Sequence, residues 1–225
     1  MTKTTNPLLK LGAALLIGVA LRLLLDHSRV FSALRAMPRF TPGIKASLLL
    51  WLVFSIYWSL AAKDSAPTKA SEPVWSRQLH LLLVNAGLLL LILPIPGLTR
   101  RFLPASQFFV VLGLLIQAAF VLLAIWGRRH LGNNWSGEVR IAVQHQLVRT
   151  GPYRLIRHPI YTAVLGMCCG TALVCGEIHA LIALVAVTLA YWRKIGLEEQ
   201  VLGKTFGAEF HAYRRDTWAL VPLLY

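Results

Sequence analysis

The chain has 225 residues, 56% of them hydrophobic and only 14% charged, and its mean hydropathy is +0.61. Soluble domains do not combine that apolar excess with so few charges, so a polytopic membrane protein is expected. The net charge of +14 would suggest nucleic acid in a soluble protein. Here Lys and Arg flank apolar runs and no sizeable soluble domain is left, so nucleic-acid binding is excluded and the charge reads as topology signal and lipid headgroup contact.

Residues 8–25 form a first apolar run long enough to span a bilayer, with Arg22 near one end able to snorkel to the interface. No cleavable signal peptide is expected, because no small-residue cleavage site is followed by a soluble domain. Residues 26–45 are a polar connector carrying Arg29, Arg35, Arg39 and Lys45. A second span is expected over 46–62, then a short loop over 63–77. The third span covers 79–98, where Pro94 and Pro96 end the regular helix early. The fourth covers 105–127, closed by Trp126 and then Arg128, Arg129 and His130. Residues 1–127 thus read as an amino-terminal bundle of four spans.

Residues 128–158 are the long polar interruption of the chain. They begin as a turn-rich loop; the segment IAVQHQLV that follows alternates weakly and suits either an extended or a short amphipathic piece. The stretch HQLVRTGPYRLIRHPIY, residues 145–161, packs Arg149, Arg154, Arg157 and His158 among Tyr153 and Tyr161. Gly151-Pro152 supplies a turn, and Pro159 suits the first turn of a helix. The apolar run over 159–192 is about 34 residues, too long for one crossing of a ~30 Å core at 1.5 Å per residue. It reads as a hairpin of two tightly packed helices turning near Glu177, with Gly166 and Gly170 permitting close approach. Glu177 and His179 mark only that far turn. Cys168, Cys169 and Cys175 all lie in this run, without a paired CxxC, and read as packing residues rather than a zinc site or disulfide framework. The chain then turns polar, as a helix leaving the membrane and an amphipathic tail helix. No internal repeat is visible.

A hairpin brings its two ends together. Tyr153, Arg154, Arg157, His158 and Tyr161 should therefore meet Arg193, Lys194, Glu198 and Glu199 on one membrane face, with Lys194 and Glu198 as (i, i+4) neighbours. Cations, carboxylates and aromatic faces in one interfacial pocket suit a zwitterionic small molecule. No GxGxxG, GxxxxGK[ST] or HExxH motif is present, and His158 lacks metal ligands at suitable spacing, so no metal site is expected. Both polar segments flanking the hairpin are basic and should face the cytosol. Four preceding spans then put the amino terminus inside as well, although the basic connector over 26–45 would face outward, against the positive-inside tendency.

GPYRLIRHPIY, an apolar hairpin, and then EEQVLGKTFGAEFHAYRRDTWALVP together resemble the isoprenylcysteine carboxyl methyltransferase family, part of a wider group of integral membrane methyltransferases that includes phospholipid methyltransferases. The resemblance runs over roughly residues 132–222. Together with the apolar runs it gives an all-α membrane enzyme: four spans read from those runs, then a carboxyl-terminal hairpin and a cytosolic tail helix, with a cofactor-binding catalytic region over 128–225. It implies S-adenosylmethionine as methyl donor, held at the cytosolic face by Glu138, His145, Gln146, Leu147, Val148, Tyr153, His158, Pro159, Tyr161 and Glu198. His158, Glu198 and Arg157 are the expected catalytic residues, and Arg154, Arg193 and Lys194 the expected acceptor contacts. The acceptor would be a lipophilic or amphipathic small molecule entering from the bilayer among membrane lipids, with no obligate protein partner. Lys194 falls where the prenylcysteine enzymes use an arginine toward the substrate carboxylate, and a lysine lacks that bidentate fork. Arg193 could replace it only on a rotated helix face. The competing readings are a membrane reductase of the sterol reductase type, which shares an RHPxY-like motif but binds NADPH, and a small transporter or scaffold, which would show discontinuous spans in matching halves.

Overall fold

A computed structural model describes residues 41–61, 68–71, 73–93, 95, 97–132, 140–142 and 147–222. The first expected span, residues 8–25, lies outside the described residues. Helices α1 (Pro42–Ala61), α2 (Val74–Ile92) and α3 (Gln107–Leu131) take the next three expected spans. The hairpin follows as α4 (Pro159–Cys175) and α5 (Ile178–Phe206), and the tail as α6 (Ala208–Asp216). Among the described residues, α1, α2, α3 and α5 are long and apolar enough to cross a membrane, and α4 is a shorter apolar helix. The protein is a multi-pass, essentially helical membrane protein. A small antiparallel pairing of β1 (Thr68–Ser71) with β2 (Arg140–Ala142) joins two loops, so IAVQHQLV begins extended rather than helical.

Helix boundaries shift for identifiable reasons. Helix α1 starts four residues before the apolar run, because the Thr41 hydroxyl accepts from the Ile44 amide at 3.3 Å and Pro42 fits the first turn. Helix α2 starts early, directly after Pro73, and ends at Ile92; Leu93 is extended, as expected for a residue preceding proline. Helix α3 runs on through Arg128, Arg129 and His130 to Leu131. Arg128 is buried, and its guanidinium donates to the carbonyls of Gly132 at 2.8 Å and of Ala61. These carbonyl contacts let a cation sit inside the bundle where it would otherwise end the helix.

The glycines of α4 act differently from expectation. They do not join the two hairpin arms; they seat α4 on α3. A Cβ at Gly113 would lie 2.5 Å from the Gly170 carbonyl oxygen, a Cβ at Gly170 equally close to that of Gly113, and one at Gly166 would enter the Phe120 ring. Helix α5 packs instead on α2, where Val187 fills the space a Gly87 side chain would need. Each hairpin arm thus has its own partner. Polar side chains reinforce the contacts within the apolar layer: Trp51 Nε1 donates to Thr171 Oγ1 at 3.0 Å, Ser47 Oγ lies 3.1 Å from the same oxygen, and Gln117 donates to the Ser47 carbonyl at 3.0 Å. Large apolar side chains such as Leu115, Leu122, Val185 and Leu189 face outward, as they should against lipid.

Gly176, in the left-handed region at φ 66°, turns the hairpin. The segment 98–103 straps that turn. The Phe102 amide donates to the Gly176 carbonyl at 3.0 Å, the Ile178 amide to Arg100 at 3.0 Å, and the His179 amide to Leu98 at 3.1 Å.

Candidate active site

The polar end of the hairpin is assembled from three backbone pieces. Gly151, at φ 59°, opens a 3-10 turn over Gly151–Arg154. His158 then caps α4 ahead of Pro159. Beyond α6, residues 218–220 return alongside this segment. The Trp218 amide donates to the Leu155 carbonyl at 3.0 Å, Arg157 N–H to Trp218 at 2.8 Å and His158 N–H to Ala219 at 3.1 Å. Thr162 Oγ1 donates to the Leu220 carbonyl at 2.7 Å, and the Tyr213 hydroxyl to the Tyr153 carbonyl at 2.7 Å. This parallel strap was not foreseen. Its signal is the apolar WAL directly after a charged helix, which needs a surface to cover.

Against this frame stand two adjacent carboxylates near the end of α5, with separate surroundings. Glu199 accepts from Arg157 Nε at 2.8 Å, lies 3.3 Å from His158 Nε2, and pairs with Arg214 Nε at 3.2 Å. Arg157 also donates to the carbonyls of Arg214, at 3.1 Å, and of Thr217. Its side chain is 9% exposed and that of Glu199 10%. Arg157, expected among the catalytic residues, therefore fastens the tail to the hairpin. Glu198 Oε2 lies 3.4 Å from His158 Nδ1. Among the described residues that buried oxygen accepts no hydrogen bond of ordinary geometry. An unsatisfied buried carboxylate oxygen is costly unless a cation or donor completes it.

Aromatic rings continue inward from His158. Its ring stacks on Tyr161 with centroids 5.4 Å apart and planes 4° from parallel. Tyr161 meets Tyr191 at 4.9 Å, and Tyr191 meets His80 of α2 at 5.2 Å. Lys194 is buried, with Nζ 6.0 Å from the Tyr161 ring centroid. Arg193, one residue earlier, points the other way: it donates to Ser76 Oγ at 2.8 Å and lies over Trp75. The helix face thus selects Lys194 for the site and turns Arg193 toward α2. Arg154 is exposed, while Leu147 and Val148 are half-buried in the approach to the turn. Glu138, His145 and Gln146 lie outside the described residues. His80 was missed by sequence reasoning, although a histidine inside an apolar helix is itself a flag.

Burial opposes protonation of His158, but the carboxylates of Glu198 and Glu199 outweigh it and hold its pKa above the ordinary histidine value. The two carboxylates thus favour the protonated form of His158, Glu199 from within the Arg157 and Arg214 pairs and Glu198 from the other side of the ring.

The phospholipid methyltransferase family profile matches residues 108–209. Residues 108–209 are thus similar to that family. A probable protein-S-isoprenylcysteine O-methyltransferase of Oryza sativa subsp. indica is 31% identical over 122 residues, covering 51% of this chain and 58% of its own length. Protein-S-isoprenylcysteine O-methyltransferase A of Arabidopsis thaliana is 27% identical over 134 residues, covering 57% of this chain and 64% of its own length. The chain thus spans somewhat under two thirds of the length of these relatives. The matched family region takes in α3, the polar loop, the hairpin and the start of α6, and so includes His158, Lys194, Glu198 and Glu199.

Proposed function

We propose that this protein is an S-adenosylmethionine-dependent methyltransferase acting on a lipophilic or amphipathic acceptor at the cytosolic face of the membrane. The observation that carries the reading is the meeting of the two polar islands, His158 and Glu198, at 3.4 Å, with a buried Glu198 oxygen left open. The relatives that share the region bear methyltransferase names. When bound, S-adenosylmethionine supplies a methyl group on a positively charged sulfur.

The residues present fit such a donor. Glu198 Oε2 offers a buried anionic acceptor for its ammonium group. The faces of Tyr161 and Tyr153 favour a nearby sulfonium. His158, with Nδ1 3.4 Å from Glu198 Oε2, orients that carboxylate, and Glu199 is left to the tail. Since methyl transfer neutralises the sulfonium, alignment and exclusion of water are the main tasks. The two carboxylates favour the protonated form of His158, and that form cannot accept a proton. The site therefore favours an acceptor that arrives already nucleophilic, such as a carboxylate or thiolate, over an amine or alcohol needing a base. Lys194, beside Tyr161, supplies the cation toward that acceptor's negative charge, with a point charge in place of a guanidinium fork. The acceptor enters laterally, where apolar molecules concentrate, and the basic flanks of the hairpin support a cytosolic position for the site.

Thermal denaturation of the detergent-solubilised protein tests this. S-adenosylhomocysteine at a hundredfold excess over its Kd should stabilise the fold by about 2.7 kcal/mol, and NADPH should not. Stabilisation by NADPH alone would contradict the reading.

A further inference from the structure

At the end of the hairpin opposite His158, ~25 Å away along α4 at 1.5 Å per residue, three different ligand-bearing side chains converge. Cys175 ends α4, Glu177 caps α5 and His179 lies in its first turn. The reversal at Gly176 brings them to one side. Their ligand atoms all lie within 4.8 Å of one another. His179 Nε2 is 3.5 Å from Cys175 Sγ and 3.2 Å from Glu177 Oε2. Read as sequence, these residues were a packing cysteine and two markers of a turn; the convergence appears only once the turn is closed.

The other ring nitrogen fixes the tautomer. His179 Nδ1 lies 2.8 Å from the Leu90 carbonyl oxygen. A carbonyl only accepts, so Nδ1 carries the proton. That leaves Nε2 to face a carboxylate oxygen and a sulfur, both electron-rich. A neutral Cys175 thiol can donate to Nε2, but the Glu177 carboxylate 3.2 Å from that same nitrogen then faces a second acceptor; a second ring proton or a metal ion between the three relieves this. One proton makes one good hydrogen bond and cannot serve both partners well. A tetrahedral zinc-type ion, with bonds of about 2.3 Å to sulfur and about 2.0–2.1 Å to nitrogen and oxygen, sets S···N near ~3.5 Å and N···O near ~3.3 Å. The observed separations match both. An imidazole whose distal N–H is held by a backbone carbonyl is also the usual supporting arrangement for a metal-ligating histidine.

The geometry points to a divalent metal site of zinc type formed by Cys175 Sγ, Glu177 Oε2 and His179 Nε2, with a fourth position for water. Its role is to clamp the hairpin turn to α2, through Leu90, and to the 98–103 strap. Loading forms the metal–sulfur bond, and the thiol proton leaves to solvent. The two negative ligands then balance the ion's charge. This site is independent of the methyl-transfer reading.

The test uses the full chain, purified in detergent with a histidine-free tag, stripped with chelator and titrated with Zn²⁺ and, separately, Co²⁺. The wild type should bind one Zn²⁺ per chain, and its Co²⁺ form should show a thiolate-to-metal charge-transfer band in the near ultraviolet. Cys175→Ser should lose the band, His179→Gln should lose the bound equivalent, and Glu177→Gln should bind at least about tenfold more weakly. Cys169→Ser, which changes a neighbouring half-buried thiol, should leave both signals intact. A wild type without stoichiometric Zn²⁺, or with a Co²⁺ spectrum lacking the thiolate band, overturns the site whatever the variants do. Binding that survives both Cys175→Ser and His179→Gln overturns it as well.

Discussion

Glu198 and Glu199 are neighbours in sequence and opposites in environment. Three cationic side chains approach Glu199, two of them almost fully buried with it. Removing its charge leaves Arg157 buried without its anion, so Glu199→Gln should destabilise the protein by about 3 kcal/mol in thermal denaturation. Arg214→Ala, at a side chain 57% exposed, should cost less than about 1 kcal/mol; equal losses would show that the hub is wrongly drawn. His158 gives the residue scale its pH signature. Its folded pKa is raised, so the folded state holds a proton that the unfolded chain releases. The resulting stabilisation is complete below the unfolded value of about 6.5 and fades as the pH rises through the folded value. Melting temperatures recorded from pH 6 upward should fall in the wild type, and the slope should flatten in His158→Gln. Identical slopes would remove His158 as the titrating group.

At the scale of elements, each arm of the hairpin is seated on its own neighbour, α4 on α3 and α5 on α2, while the arms meet each other at Tyr161 and Tyr191. The small-residue face of α4 meets α3 through Gly113 and Gly170, backbone against backbone. A methyl at 170 would stand 2.5 Å from the Gly113 carbonyl oxygen, and neither backbone can yield locally. Gly170→Ala should therefore cost about 1–3 kcal/mol. Gly196→Ala, where nothing lies within 4 Å, should be neutral or slightly stabilising, since alanine is the better helix former. Melting curves of the two variants decide the point. The tail belongs to the same scale. Helix α6 alone would be marginal at nine residues; it is held by Phe210 and Tyr213 in the core and by the 218–220 strap against 155–158.

For the whole molecule, the sequence legibly showed two charged islands joined by an apolar V, because a run too long for one crossing must turn back. The same-face placement of Lys194 and Glu198 followed from their spacing. What stayed hidden depended on tertiary partners. A stripe of glycines says that something approaches closely, not which helix. Adjacent carboxylates do not reveal which one a tail arginine will take. The 218–220 strap pairs with residues about sixty positions away, and Cys175, Glu177 and His179 converge only through the left-handed Gly176. Orientation is also a property of the whole molecule. Single cysteines at exposed Arg154 and Arg100 should respond oppositely to a membrane-impermeant maleimide applied to intact cells. Arg100→Cys should label and Arg154→Cys should not, and the reverse pattern would invert the topology.

The most direct measurement is equilibrium binding of radiolabelled S-adenosylmethionine to the purified protein, compared with Glu198→Gln and with Lys204→Gln at an exposed position of the same helix. The account predicts saturable binding to one site in the wild type and in Lys204→Gln. In Glu198→Gln the affinity should fall by about 10–150-fold, the loss expected of one charge-assisted contact of about 1.5–3 kcal/mol. Unchanged affinity in Glu198→Gln, or no saturable binding by the wild type, would contradict it.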